Sequence, residues 1–537
     1  MKNWYEQTNE RNSILPQFDV ARIKKKGKEH PVWVHFGGGN LYRGFHAEIA
    51  QRLANKKELM AGVILCETFD EEIIRDVYQP YNQDILKVVM HEDGYLEKEI
   101  LAATADSLYV HPNNENDYNK AVQYFQDTAL QFITFTITEK GYNLKDWDQK
   151  FLPIIQEDII SGPNSPKHTI SILTALLFER FKAGKLPLAL VSTDNFSQNG
   201  QKFQESVWTL AKAWQREKHV PNEFIDYLMD TKTITFPWSM IDRITPNPSE
   251  NIKNELSKVG FSDVDIIHTE KHTNIAAFVN TEAINYLVIE DNFPNGRPKL
   301  ESAGVTMTNR ETVDKADSMK VTTCLNPLHT ALAVTGCLLG YTSIAEEMKD
   351  KDLVGLIQGI GYHEGLPVVE SPVIIDPKQF IDEVLTKRLP NPYIPDSPQR
   401  IASDTSQKIA IRYGETIKKH VEKNGTAENL VFIPLTIAAW LRYLLAVDDQ
   451  GSDFIPSPDP LLTDLQEKLA TIKLGEQDTE VIASAVKPIL ENPMIVGSNL
   501  YQAGIGKKIE SILKEMLVGP EAVRKTIHKY VTEFGGK

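Results

Sequence analysis

The fold is decided by the stretch VWVHFGGGNLYRGFHAEIAQRLA, residues 32–54. It begins with strand-forming residues, turns through Gly37, Gly38 and Gly39, and continues as an amphipathic helical pattern. This order is typical of a dinucleotide-binding element, because glycines let the backbone approach a pyrophosphate and a helix N-terminus attracts its charge. The spacing is not the complete G-x-G-x-x-G, so an ordinary turn between strand and helix stays an alternative.

Length and charge limit the possible classes of protein. A chain of 537 residues exceeds the ~250–300 residues of a single core, so we expect two domains. The net charge of −15 argues against a nucleic-acid or anionic-membrane partner, which needs a basic face. No feature of the sequence predicts an oligomeric state.

The sequence favours a cytoplasmic protein. The opening MKNWYEQTNERNS lacks the apolar core of a signal peptide, and the longest apolar stretch, around 330–339, is too short to span a bilayer. Cys66, Cys324 and Cys337 lie in apolar segments without metal or redox spacing, and we expect all three in the core.

Strand-like and helix-like segments alternate over the first ~290 residues, which predicts a parallel sheet covered by helices. Strands are predicted at 32–36, 62–66, 85–90, 131–137 and 187–193, and helices at 43–54, 115–126, 166–182 and 199–216. After residues 297–298 most segments are helical: 328–349, 351–361, 377–388, 401–424, 428–446, 460–473, 478–490 and 508–533. The predicted class is α/β, with a Rossmann-like, mostly parallel sheet domain over residues 1–300, a mainly α-helical domain over 301–537, and the active site between them.

Polar residues follow three predicted strands, where ligands of open parallel sheets bind. Glu67 lies where an acid holds the adenosine ribose and favours NAD over NADP, and Asp70 is its rival. A helix-capping or solvated acid is the alternative. After the strand at 131–137, Glu139 could relay protons or bind a sugar hydroxyl, or only pair with a lysine at a turn. Asn195 could donate its amide to a substrate oxygen, or cap a helix.

The helical half opens with a second group of candidates. Asn326 and His329 share a helix face at a spacing of i, i+3, and Lys320 lies just before them in an apolar and threonine-rich segment. A desolvated lysine can act as a base, while an amide and an imidazole can polarise a carbonyl. The alternative is a core histidine and an asparagine that caps a helix beginning at Pro327.

Basic residues further along the chain suggest an acidic substrate. Arg400 and Lys408 lie about two helical turns apart, and arginine grips a carboxylate through two parallel hydrogen bonds. A solvated face with an Asp404–Lys408 pair is the alternative. No zinc motif, nucleophile elbow or P-loop occurs, so no metal is expected.

Taken together, these segments resemble the polyol-specific long-chain dehydrogenase family, which includes mannitol dehydrogenases and hexuronate reductases. The similar segments are FGGGNLYRGF (36–45), ITEKGY (137–142), STDNFSQNG (192–200), FPWSMIDRITP (236–246), VIEDNFPNGRP (288–298), LNPLHTALA (325–333) and SDTSQK (403–408). WLRYLLAVDDQGSDFIPSPDPLL (440–462) is similar to the fructuronate reductase branch, and FGGGNLYRGF leans toward the tagaturonate reductases.

The resemblance implies metal-independent, NAD-linked interconversion of a ketose-type carbonyl and a secondary alcohol, with a sugar acid or polyol as substrate. It implies these roles: catalysis by Lys320, Asn195, Asn326 and His329; substrate contacts from Arg400, Lys408, Glu139 and Asp242; nucleotide contacts from Gly37, Gly38, Gly39, Asn40, Leu41, Arg43, Glu67, Asp70 and Thr138. Six residue steps separate Lys320 from Asn326, one more than in the family pattern. A catalytically silent NAD-binding regulator is the alternative from another class.

Overall fold

A computed structural model describes residues 3–8, 13–146 and 148–535. The amino-terminal segment, for which we predict no signal peptide, lies partly outside these residues. The chain divides into two compact units. Unit 1 contains residues 1–91 and 95–314, and unit 2 contains residues 92–94 and 315–537.

Six described strands form the main sheet of unit 1, and every neighbouring pair is parallel. Their order across the sheet is Thr104–Tyr109, Val63–Glu67, Trp33–Phe36, Phe132–Phe135, Leu188–Ser192 and Ile234–Thr235. In chain order this is 3-2-1-4-5-6, the order of a dinucleotide-binding sheet, whose ligand lies where the order reverses. The reversal falls between Trp33–Phe36 and Phe132–Phe135.

This sheet is apolar on both faces because a parallel sheet is covered by helices on each side. Val34, Phe36 and Ile64 enter one core cluster, while Trp33 and Val63 enter another. The described helices of this part of the chain are Trp4–Thr8, Val20–Glu29, Ala47–Asn55, Glu115–Gln126, Pro153–Ser161, Thr169–Lys182, Asn199–Arg216, Asn222–Met229 and Glu250–Lys258. The predicted helices 115–126 and 199–216 are confirmed to the residue.

Smaller sheets complete unit 1, and one corrects a prediction. The predicted strand at 85–90 exists but lies outside the parallel sheet, because it forms an antiparallel pair with Leu96–Leu101. The four-stranded sheet has the order Ser13–Ile14, Leu96–Leu101, Ile85–Met90 and Phe278–Glu282; the other sheets contain Ser239–Asp242, Tyr286–Glu290 and Thr306–Thr308, and Ile266–His268 with Asn274–Ala276.

Unit 2 is helical, as predicted, but its helices are shorter than the predicted ones. Its described α-helices are Asn326–Leu339, Ile344–Glu347, Lys351–Gln358, Pro377–Glu383, Pro398–Ile401, Glu415–Asn424, Phe432–Leu444, Leu462–Lys468, Thr479–Leu490, Pro493–Val496, Gly506–Met516 and Ala522–Phe534; Arg310–Met319 crosses the unit boundary. The predicted continuous helices 328–349, 401–424 and 508–533 are wrong. Residues in the left-handed region interrupt them, namely Gly340, Asp404 and Glu521.

The described residues share three further properties. None of their helices has the length and apolar character that crossing a membrane requires. None of their His, Cys, Asp and Glu side chains gather into a group of three or more that could hold a metal ion. Cys66, Cys324 and Cys337 are free and buried, which confirms their predicted place in the core.

Candidate active site

The glycine turn lies at the carboxyl end of strand Trp33–Phe36, beside the point where the strand order reverses. Gly37 has φ +107°, and a Cβ there would lie 2.2 Å from the carbonyl oxygen of Thr136 on the neighbouring segment. Gly39 faces open space, with nothing within 4 Å of a Cβ position. The turn therefore combines tight packing at its start with free space at its third glycine, and it fits the close approach of a pyrophosphate.

Glu67 connects this turn to the end of the adjacent strand. Its carboxylate accepts hydrogen bonds from Gly38 N at 2.7 Å and from the backbone N–H groups of Thr68, Phe69 and Asp70. Burial raises the pKa of Glu67, while these N–H groups act in the opposite direction. Glu67 thus shapes the turn at the site where we expect the ribose.

Asp70, the rival acid, is engaged within the protein. Its carboxylate accepts hydrogen bonds from the hydroxyl of Thr269 at 2.7 Å and from the backbone N–H of Glu72 at 3.2 Å. The side chain is buried, as is that of Glu67. The capping alternative describes what Asp70 does here.

Arg43 also differs from the expectation of a nucleotide contact. Its guanidinium is fully buried, donates to the carbonyl oxygen of Ala277 at 2.7 Å and lies 5.9 Å from the centre of the Tyr78 ring. Burial lowers the pKa of Arg43 to about 10. Asn40 and Leu41, at the start of the same helical segment, keep partly exposed side chains.

Asp194, which the sequence analysis did not select, organises the next two strand ends. Its carboxylate accepts hydrogen bonds from Ile137 N at 2.9 Å, Thr138 N at 2.8 Å and the hydroxyl of Tyr142 at 2.7 Å. These bonds hold Thr138 at φ +65°, an uncommon backbone conformation for a β-branched residue. Glu139 and Asn195, which follow directly, are exposed.

Two further predictions concern unit 1. The proposed helix cap near Asn195 does not form: the helix begins at Asn199, and its N-terminal neighbour Gln198 makes no capping hydrogen bond. Asp242 ends the strand Ser239–Asp242, where it pairs in register with Tyr286, and it is buried.

Lys320 begins a π-helical turn, Lys320–Cys324, which the backbone closes by a hydrogen bond from Leu325 N to Lys320 O. The amine is buried, since its side chain is only 3% exposed, and it lies 3.3 Å from a carboxylate oxygen of Asp317. Asn326 begins the following helix, so Lys320 is not part of that helix. The extra residue between Lys320 and Asn326 is accommodated by the wide π-helical turn.

Asn326 and His329 lie on the same helix, as predicted. The side chain of Asn326 does not cap it: the N-cap position is Leu325, and within the described residues the Asn326 amide makes no hydrogen bond. Both side chains are partly exposed. Polar groups of this kind at one helix end can hold a substrate oxygen.

Asp396, also missed by the sequence analysis, connects two predicted site residues. One of its carboxylate oxygens binds Arg400, and the other lies 3.3 Å from Nε2 of His329, outside hydrogen-bond geometry. Burial tends to raise the pKa of Asp396, but His329 and Arg400 together lower it. Its spacing was the sequence signal that could have identified Asp396: an acid four residues before Arg400 can pair with it on a helix.

Lys408 and Arg412 form the remaining basic group. Lys408 donates to the carbonyl oxygens of Ile401 and Ser403. Arg412, which the sequence analysis did not select, donates to the hydroxyl of Thr330, next to His329 on its helix. The predicted Asp404–Lys408 ion pair does not occur among the described residues, since Asp404 has left-handed backbone and interrupts the helix.

Two family models together match most of the chain. The Rossmann domain of mannitol dehydrogenase matches residues 32–302, and the C-terminal domain of mannitol dehydrogenase matches residues 312–501. The chain belongs to the mannitol dehydrogenase family. It is therefore an oxidoreductase of this family, and the predicted family and fold class are confirmed.

Curated relatives and solved structures extend this comparison. The chain is 50% identical over 524 residues to a D-mannonate oxidoreductase of Thermotoga maritima, covering 97% of this chain and 96% of that protein. It is 27% identical to a polyol:NADP oxidoreductase of Gluconobacter oxydans over 86% of this chain and 88% of that one.

The structural neighbours agree in fold. A D-sorbitol dehydrogenase in substrate-free form matches with a TM-score of 0.78 at 23% identity, covering 97% of this chain and 98% of that chain. A Pseudomonas fluorescens mannitol 2-dehydrogenase, solved as a ternary complex with NAD and D-mannitol, matches with a TM-score of 0.69 at 23% identity, covering 100% and 99%.

Proposed function

We propose that this protein is an NAD-dependent, metal-independent oxidoreductase that interconverts D-fructuronate and D-mannonate. The observation that carries the proposal is 50% identity to a D-mannonate oxidoreductase over 97% of the chain. The unneutralised basic residues Lys408 and Arg412 in unit 2 also favour a substrate with a carboxylate.

The glycine turn and Glu67 would hold the nucleotide, which accepts a hydride from the alcohol carbon when bound. Gly39 offers the open approach for the pyrophosphate, and Glu67 lies at the strand end where a ribose is expected. A carboxylate beside the ribose repels the 2′-phosphate of NADP, so we expect NAD to be preferred over NADP.

In the proposed roles, the Lys320 amine takes the proton of the substrate hydroxyl and returns it in the reverse direction. Its near-complete burial keeps water from competing for that proton, and Asp317 fixes the amine on its turn. Asn195, Asn326 and His329 hold the reacting oxygen, while Arg400 or Lys408 binds the substrate carboxylate. Glu139 passes the proton toward solvent, which suits its exposure, and Asp242 contacts substrate.

The test is a substrate screen that follows NADH absorbance with D-fructuronate, D-tagaturonate and D-fructose, and repeats each with NADPH. We expect the highest kcat/KM for D-fructuronate with NADH. A preference for D-tagaturonate or D-fructose would replace the proposal with a tagaturonate reductase or a mannitol 2-dehydrogenase. Thermal stabilisation by NAD without turnover of any substrate would indicate a silent regulator.

The proposed base is tested by Lys320→Ala. Loss of a general base lowers the rate by ~10²–10⁴-fold, while nucleotide affinity is kept. Lys418→Ala is the matched control, because Lys418 is a partly exposed lysine paired with Glu415. An undiminished rate in the Lys320 variant would remove the lysine from the mechanism.

A further inference from the structure

The segment from residue 400 to residue 412 in unit 2 carries three cations with different surroundings. Arg400 is 62% exposed and already bound to the carboxylate of Asp396. Lys408 and Arg412 lie one helical turn apart, since Arg412 N donates to Lys408 O at 2.8 Å. Neither of these two has a carboxylate within ion-pair distance among the described residues.

Arg412 is the most unusual of the three. Its side chain is partly buried, and its guanidinium donates to the hydroxyl of Thr330, which in turn donates to the carbonyl oxygen of Asn326 at 3.0 Å. Burial lowers the pKa of Arg412 to about 10. A guanidinium has five donors, and this one has a single neutral side-chain partner, so most of its donors are free to bind an anion.

The charges around Lys408 do not supply that anion. Burial, and then the positive charges of Arg412 and Arg400, lower the pKa of Lys408, while Asp404 and Asp459 act in the opposite direction. The carboxylate of Asp459 is bound to the backbone and hydroxyl of Ser406. The neighbourhood of Lys408 and Arg412 is therefore positive and connected to the helix of Asn326 and His329.

We propose that Arg412, together with Lys408, binds the carboxylate of the substrate, and that Arg400 is a positioning residue held by Asp396. The inference rests on the proposed function, in that the substrate is a sugar acid. It assigns the recognition of the acid to a residue that is not among the predicted substrate contacts. Arg400 must leave an existing carboxylate to bind another, whereas Arg412 has no such partner to lose.

The experiment compares Arg412→Gln, Arg412→Lys and Arg400→Gln, with Lys418→Gln as a control at a lysine paired with Glu415. KM and kcat are measured for D-mannonate and for D-mannitol, the latter as substrate or competitive inhibitor, together with the Tm of each variant. Arg412→Gln should raise KM for D-mannonate about 10- to 100-fold, with kcat, Tm and the D-mannitol constants near wild type. Arg412→Lys should recover part of this loss.

Two results would overturn the inference. One is a large rise in KM for D-mannonate with Arg400→Gln but not with Arg412→Gln. The other is an Arg412→Gln variant whose Tm falls and whose constants for D-mannitol and D-mannonate worsen alike, which indicates a structural anchor.

Failure of the proposed function is recognised separately, from the wild-type protein. If wild type does not turn over D-mannonate, equilibrium binding of D-gluconate, a sugar-acid probe, is measured by calorimetry. Binding that Arg412→Gln abolishes still supports the carboxylate site, and absence of binding to wild type refutes it.

Discussion

His329 Nε2 lies 3.3 Å from a carboxylate oxygen of Asp396, whose other oxygen binds Arg400. One carboxylate thus lies beside an imidazole on the helix Asn326–Leu339 and binds a guanidinium on the short helix Pro398–Ile401. Burial acts to raise the pKa of Asp396, but His329 and Arg400 together lower it, which keeps this carboxylate charged at neutral pH. Asp396 is therefore a charged link between two predicted site residues.

Asp396→Asn tests this relationship through kcat/KM at one near-neutral pH. The substitution removes the charge that binds Arg400 and lies beside His329, so both side chains lose a positioning contact and kcat/KM should fall about 10-fold. Asp464→Asn, at an exposed aspartate paired with Lys468, should leave kcat/KM unchanged. Wild-type kcat/KM in the Asp396→Asn variant would show that this carboxylate positions neither residue.

Alanine substitutions at the first and third glycines of the turn should have different effects. Gly37→Ala places a methyl group 2.2 Å from Thr136 O at φ +107°, so Tm should fall, with a loss of about 1–3 kcal/mol. Gly39→Ala meets open space, so its Tm should stay near wild type while NAD binding weakens. Thermal unfolding with and without NAD measures both effects. Wild-type NAD affinity in Gly39→Ala would argue against a pyrophosphate at this turn.

A buried acid in unit 2 should make stability depend on pH. The Glu347 carboxylate lies against Gly336, and neither oxygen has a hydrogen-bond partner among the described residues. Burial, with a smaller effect of Asp350, raises the pKa of Glu347 to about 9. Between the unfolded pKa of ~4.3 and this value, the folded state keeps a proton that the unfolded state releases, so stability falls as pH rises through this range.

Glu347→Met should therefore stabilise the protein, and the gain should grow with pH. At pH 7 this proton costs the folded state about 4 kcal/mol of unfolding free energy relative to low pH. Urea unfolding at pH 5 and at pH 8 measures the gain, and Glu346→Gln is the control because Glu346 is exposed and paired with Lys349. A gain that is the same at both pH values would contradict protonation of Glu347 in the folded state.

Substitutions of the adjacent residues Asp194 and Asn195 should differ in their effects on stability and on catalysis. Asp194→Ala leaves the N–H groups of Ile137 and Thr138 without their acceptor, so Tm and activity should both fall, with a loss of about 1–3 kcal/mol. Asn195→Ala, at an exposed position, should lower kcat with little change in Tm. Calorimetry and steady-state kinetics on the two variants test this difference, and equal losses of Tm would refute it.

The sequence predicted the elements whose local pattern and buried faces agree. The helices 115–126 and 199–216 begin and end as predicted, and the apolar strands form the parallel sheet. The apolar periodicity did not predict where helices end, as at Gly340 and Glu521. A residue with left-handed backbone ends a helix without changing the apolar period of the sequence around it. The pattern also failed for residues 85–90, whose composition does not reveal which strand they pair with.

By itself, the sequence determined the α/β-plus-helical class, the glycine turn and the candidate Lys320, Asn326 and His329. These depend on local periodicity and on short spacings within one segment. Only the tertiary structure decided that Asp396 lies beside His329, that Asp194 holds Thr138 and that Arg43 is buried. The physical reason is that charge pairing and burial depend on contacts between segments far apart in the chain, which no local pattern encodes.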